Sequence, residues 1–108
     1  MADGTAPLLA GVARASITPA LGIRLAGYTV QQDFANAVHS ELTATAVAFS
    51  DGTPAGTVII MGLDILFIQN PACDEIRHQI GARLGIDSSN VMLNFSHTHL
   101  GPMTGWYS

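Results

Sequence analysis

The stretch with the most chemistry per residue is Asn-Phe-Ser-His-Thr-His-Leu-Gly-Pro, residues 94–102. His97 and His99 are spaced i, i+2. In extended backbone alternate side chains share a face, so two imidazoles at this spacing converge. Imidazole is a standard zinc ligand, and its proton exchanges near neutral pH. The same pair also suits a plain polar strand end, bonded to carbonyls or water. Spacing alone leaves both readings open. The position after an apolar strand and before the Gly101-Pro102 turn favours the functional one.

Other residues that could do chemistry are scattered. Asp64 follows an apolar run. It reads as a structural acid bonded to backbone N–H groups or, less favoured, as a carboxylate that orients a ligand imidazole. Gly27 and Tyr28 mark a loop. Gly27 permits a turn or lines a pocket with its backbone, and Tyr28 reads as a half-buried packing residue. His39 reads as a structural histidine opening a strand, and His78 as a solvated helix residue. Cys73, the single cysteine, excludes an intrachain disulfide framework and reads as a small core hydrophobe.

The elements that must position these residues follow from pattern. A first strand is expected near 9–16, ended by Thr18-Pro19. Residues 29–37 read as irregular. Leu42, Ala44, Ala46 and Ala48 alternate with Thr43, Thr45, Val47 and Phe49, the signature of a strand. The turn cluster Ser-Asp-Gly-Thr-Pro-Ala-Gly joins it to Thr-Val-Ile-Ile-Met-Gly-Leu-Asp-Ile as a hairpin. That second strand is apolar on both faces, which predicts a sheet covered on both sides. Asn70 is the expected N-cap of a helix with Pro71 at its first position, ending at Leu84 before Gly85. Cys73, Ile76, Ile80 and Leu84 form the expected buried stripe. Asn-Val-Met-Leu-Asn-Phe returns as a strand, giving a right-handed parallel strand–helix–strand unit. The expected fold class is α/β, a mixed sheet with a hairpin and this parallel unit. The histidines fall at the C-terminal strand ends, where ligand sites of such sheets gather.

The chain has 108 residues, enough for one small domain, and is 48% hydrophobic, so it can fill a core. Four arginines, no lysine and eight acids give a net charge of −4, which leaves no basic footprint for nucleic acid. The N-terminus has no basic start followed by a long apolar segment, so no signal peptide is read. This makes the cytoplasm the default location, or the exterior if a leader was trimmed. The longest apolar run carries Asp64 and is too short to span a bilayer.

Taken in order, Gly-Val-Ala-Arg-Ala-Ser-Ile-Thr-Pro (11–19), Leu-Ala-Gly-Tyr (25–28), Ala-Val-His-Ser-Glu-Leu (37–42), Val-Ile-Ile-Met-Gly-Leu-Asp-Ile-Leu (58–66) and the closing His-Thr-His-Leu-Gly-Pro resemble the neutral/alkaline non-lysosomal ceramidase family. The short words are weak singly; the ordered set is specific. Family members are several times longer, so the chain resembles the N-terminal part of their catalytic domain. The resemblance implies a zinc amidase that cleaves the N-acyl bond of a ceramide-like lipid into a sphingoid base and a fatty acid. It implies that His97 is a zinc ligand and that His99 stands beside the metal as a catalytic residue. It places Gly27 and Tyr28 on a loop near the active site and matches His39 to a recurrent histidine. The family's other ligands, a histidine, a glutamate and a tyrosine, would come from chain beyond residue 108. The sequence departs from the pattern at Leu100, where the family has serine, and this alters the pocket wall. Zinc lowers the pKa of bound water toward ~7, which suits amide hydrolysis at neutral pH.

Two rival readings accompany this one. His-x-His after a strand also marks the metal barrels of the amidohydrolase superfamily, where it follows an early barrel strand. A 108-residue chain with only two candidate ligands also suits a non-catalytic interaction module that pairs with another chain or with itself.

Overall fold

The computed structural model describes residues 7–27 and 34–104. The chain is α/β. Strands β1 (Leu9–Ser16), β2 (Thr43–Ser50), β3 (Thr57–Leu63) and β4 (Val91–Phe95) form one mixed sheet in the order β1-β2-β3-β4. The pairs β1–β2 and β2–β3 are antiparallel, and β3–β4 is parallel. Helix α1 (Asn70–Leu84) forms the crossover between β3 and β4.

The hairpin between β2 and β3 closes through Asp51. Its Oδ1 accepts from the Thr53 N–H (2.9 Å) and Thr53 hydroxyl (2.6 Å), and its own N–H donates to the Gly56 carbonyl at 3.1 Å. A side chain at Gly56 would collide with the Asp51 carboxylate. Register then follows: Ala44 lies opposite Leu63 and Val47 opposite Ile60.

Helix α1 differs slightly from expectation at its start. The N-cap is Gln69, whose side chain makes no capping bond, so Asn70 already lies inside the helix. Pro71, which needs no intrahelical N–H partner there, fits the first turn. Gly85 ends the helix in left-handed conformation (φ 70°), with its N–H on the Gly81 carbonyl. Cys73 is buried, its thiol 3.2 Å from the Ile68 carbonyl. Ile76 and Ile80 are half-buried and His78 is exposed, as expected. Leu84 is not part of the buried stripe, being 55% exposed. In the last turn the buried residue is Gly81, packed so tightly under the Ile86 carbonyl that a Cβ would sit 2.7 Å from it.

The sheet is covered on one face. Ile59 and Leu63 of β3 and Val91 of β4 are buried on the helix side with Cys73. Val58 and Ile60, on the opposite face of the same strand, are exposed, as are Val12, Phe49 and Met92 beside them. The expectation of a sheet covered on both faces therefore does not hold among the described residues. An apolar strand reports that both faces favour burial, not that both are buried here.

Candidate functional site

The site is built where β4 ends. After Phe95 the chain leaves the sheet but stays tied to it: Ser96 N–H donates to the Leu63 carbonyl (3.0 Å) and Thr98 N–H to the Ile65 carbonyl (3.4 Å). On the other side the loop is laced to residues 24–26. Leu100 N–H donates to the Ala26 carbonyl (2.7 Å), Ala26 N–H to the Gly101 carbonyl (2.8 Å) and Met103 N–H to the Arg24 carbonyl (2.8 Å). The 22–25 segment pairs in turn with Phe34 and Ala35. Three stretches far apart in sequence thus become one platform for His97 and His99.

The two imidazoles are brought together, with ring centroids 5.0 Å apart and planes at 68°. The route differs from the one expected. The His-Thr-His segment is not a strand: His97 and Leu100 both have φ 62°, in the left-handed region. Histidine tolerates that region better than most residues, whereas leucine does not. Such backbone costs about 1–3 kcal/mol per residue and gathers at functional sites, where surrounding contacts hold it. Nδ1 of His97 lies 3.3 Å from the Leu66 carbonyl. A proton on Nδ1 satisfies that carbonyl and leaves Nε2 as a lone-pair donor, the usual way a ligating histidine is oriented.

His99 leans on the other side of the loop. A Cβ at Gly27 would lie 2.7 Å from His99 Nδ1 and 2.8 Å from its Cγ, and Gly27 has φ 117°. Only glycine lets the backbone approach the ring so closely. The structure therefore places Gly27 directly behind His99. Tyr28 lies outside the described residues.

Asp64 is held elsewhere. Its Oδ2 accepts from the Thr43 N–H (3.0 Å) and Thr43 hydroxyl (2.9 Å), and its Oδ1 from the Ser96 hydroxyl (3.4 Å). The Ser96 hydroxyl also meets that of Thr98 at 2.5 Å. Asp64 reaches the histidine loop through these hydroxyls, tying the start of β2 to the end of β4. The Thr43 N–H and then the Thr43 hydroxyl lower its pKa against an opposing effect of burial, with lesser downward pushes from the Ser96 hydroxyl and the Arg14 charge.

His39 was expected to open a strand, remote from the histidine pair. It stands four residues before β2, is exposed, and lines the same groove as His99. Leu100 lines it too. Sequence reasoning did not join these residues, because the 24–26 to 100–103 lacing that brings them together carries no local signal. His78 and Cys73 take no part in the groove.

As a metal centre the donor set is partial. Among the described residues no three His, Cys, Asp or Glu side chains are grouped to hold a metal ion. His97 has the orientation of a ligand and His99 is its neighbour, but a catalytic zinc site takes three protein ligands.

Comparison with known proteins bears on the fold. No family model matches the chain, and no curated protein matches it. Among solved structures it is similar to a ceramidase complexed with C2, with a TM-score of 0.77 and 24% identity over 92% of this chain and 16% of that one. The chain thus has a ceramidase-like fold and spans about a sixth of the length of that protein. The mixed sheet is also unlike the all-parallel barrel of the amidohydrolase reading. No helix among the described residues is long and apolar enough to cross a membrane.

Proposed function

We propose that this chain contributes part of the active site of a zinc-dependent amidase acting on an N-acyl sphingoid lipid of the ceramide class. One observation carries the reading: in a ceramidase-like fold, the His97–His99 pair stands at the C-terminal end of β4 with one ring braced on a carbonyl and the other on a glycine. In this reading His97 offers Nε2 to zinc while Leu66 fixes its Nδ1 proton. Zinc, when bound, polarises the acyl oxygen and makes water a nucleophile at neutral pH. Hydrolysis adds water to the acyl carbon and breaks its bond to nitrogen, so one proton must travel from the water to the leaving amine. His99 carries it, with the Nε2 edge of the ring, turned away from Gly27, toward the substrate. Asp64 acts on the loop rather than on a ring, by holding Ser96 and Thr43 together. The remaining metal donors come from outside the described residues, whether from further chain or from a partner.

The test uses the solved ceramidase with its matching segment replaced by residues 7–104 of this chain. Hydrolysis of a fluorescent N-acyl sphingosine is expected from the chimera and is lost on chelation. The 108-residue chain alone is expected to show none with added zinc, since two imidazoles are one ligand short. A folded, zinc-loaded chimera without turnover, or zinc-dependent turnover by the chain alone, would contradict the reading.

A further inference from the structure

Strand β1 is an edge of the sheet. It pairs with β2 on one side, and all eight of its residues are exposed. Just past its end, the Ile17 N–H donates to the Leu42 carbonyl at 2.8 Å. Bonding alternates along an antiparallel ladder, so the odd-numbered residues of β1 turn their N–H and C=O groups toward β2. Ala10, Val12 and Arg14 turn theirs outward. Sheets usually blunt such an edge with a proline, a bulge, a charge or short length. β1 has none of these. Its sequence, Leu-Ala-Gly-Val-Ala-Arg-Ala-Ser, holds no proline, and it pairs with β2 in unbroken register. Its one charged side chain, Arg14, is drawn over the sheet, with Nε donating to Thr45 Oγ1 at 3.1 Å. The other edge, β4, has five residues and is followed by the left-handed turn at His97.

We infer that β1 is a dimerisation edge, on which a second copy of this chain pairs its own β1 antiparallel about a two-fold axis at Val12. The two four-stranded sheets then become one of eight. Three features select this register. The outward backbone groups belong to even-numbered residues, so the bonded pairs must join even residues. An axis at Arg14 would set two guanidiniums opposite each other, and like charges directly opposite are destabilising. With the axis at Val12, Arg14 stands opposite Ala10 of the second copy. Lastly, Val12 ends an apolar row on the bare face: it lies opposite Val47, which lies opposite Ile60, which lies opposite Met92. An axis at Val12 joins the two rows end to end, whereas one at Ala13 sets Val12 against Arg14. The contact is self-complementary and closes, while β1 against β4 of another copy would be head-to-tail and open-ended. One strand pair is narrower than the ~800 Å² per partner of a standard interface, so the dimer dissociates on dilution. The histidine loop follows β4 at the far edge of each sheet, so the inference does not rest on the amidase reading.

The experiment follows the 108-residue chain by analytical ultracentrifugation and by amide hydrogen exchange read by NMR, over a range of concentrations. Chelator keeps a metal from bridging the histidines of two copies. A monomer–dimer equilibrium is expected. Exchange of the Ala10, Val12 and Arg14 N–H groups should slow as the dimer forms, while Gly11 and Ala13, already bonded to β2, stay slow throughout. Val12→Pro removes an N–H that β2 does not use, at an edge position where proline is tolerated. Symmetry makes that two lost ladder bonds, so the dimer should weaken about tenfold or more. Val12→Lys and Val12→Glu should each be monomeric alone and dimerise when mixed, because the axis sets residue 12 opposite itself. This arm keeps the test open if Val12→Pro fails to fold. A monomer at every concentration, or species larger than a dimer, would overturn the inference. So would slow exchange of Ala10, Val12 and Arg14 in the dilute monomer, which would mean that one chain covers its own edge. A dimer whose edge N–H groups exchange freely, or that keeps its affinity in Val12→Pro, would place the contact on the sheet face instead and overturn it too.

Discussion

Gly27 and the His99 ring compete for the same space, and only the absence of a side chain at residue 27 settles it. Gly27→Ala would put a methyl 2.7 Å from Nδ1 at a φ of 117°. The ring must then rotate away or the loop must shift. Urea unfolding is expected to show a loss of about 1–3 kcal/mol. The imidazole NMR signals of His99 should move more than those of His97, whose own brace is Leu66 and which feels only the changed ring current of its neighbour. Unchanged His99 signals would show that the ring does not rest on Gly27. Asp64 gives a second residue-scale expectation. Its pKa is lowered in the folded state, chiefly by the Thr43 N–H and hydroxyl. A depressed carboxylate pKa adds stability above the unfolded value of about 4 and loses it as pH falls through the lower folded value. Stability should therefore fall more steeply between pH 6 and pH 3 in the wild type than in Asp64→Asn. Chemical denaturation at several pH values measures this, and parallel curves would contradict it.

At the scale of elements, local patterns located the strands and the helix well. Alternation at 42–49, the turn cluster after Ser50, and Pro71 with Gly85 around the helix each have a local physical cause, so each is readable without the fold. Leu84 shows where that stops. It keeps helical phase with Cys73, but phase does not say how far the neighbouring layer extends. The last turn is covered over Gly81 instead. The site divides the same way. The nearness of His97 and His99 was legible from their spacing, though extended backbone was the wrong cause. The approach of Gly27 to His99, and of His39 and Leu100 to one groove, depends on pairing between residues 24–26 and 100–103, which no short word of sequence encodes. The helix offers a direct check. Ile80→Ala should cost about 1–2 kcal/mol, below the ~2–5 kcal/mol of a fully buried isoleucine, because Ile80 is only half-buried. Leu84→Ala should fall within about 0.5 kcal/mol of wild type. Equal losses in urea unfolding would restore Leu84 to the core.

For the whole molecule, the Cα radius of gyration is 17.2 Å, where a compact domain of this length has about 13 Å. One sheet face is covered by α1, and the other presents Val12, Phe49, Val58, Ile60 and Met92, a surface of the kind that packs on another layer. The site of the histidine pair has the same open character: one ring is braced on a carbonyl, and no three His, Cys, Asp or Glu side chains group to hold a metal ion among the described residues. The roles of that pair are the centre of the proposed function, and zinc content separates them. Zinc per chain is measured in the purified chimera and in its His97→Ala and His99→Ala variants, with folding checked by circular dichroism. About one zinc is expected in the parent and in His99→Ala, and little in His97→Ala. Zinc retained in folded His97→Ala, or lost in folded His99→Ala, would contradict the assignment of His97 as the ligand and His99 as the proton carrier.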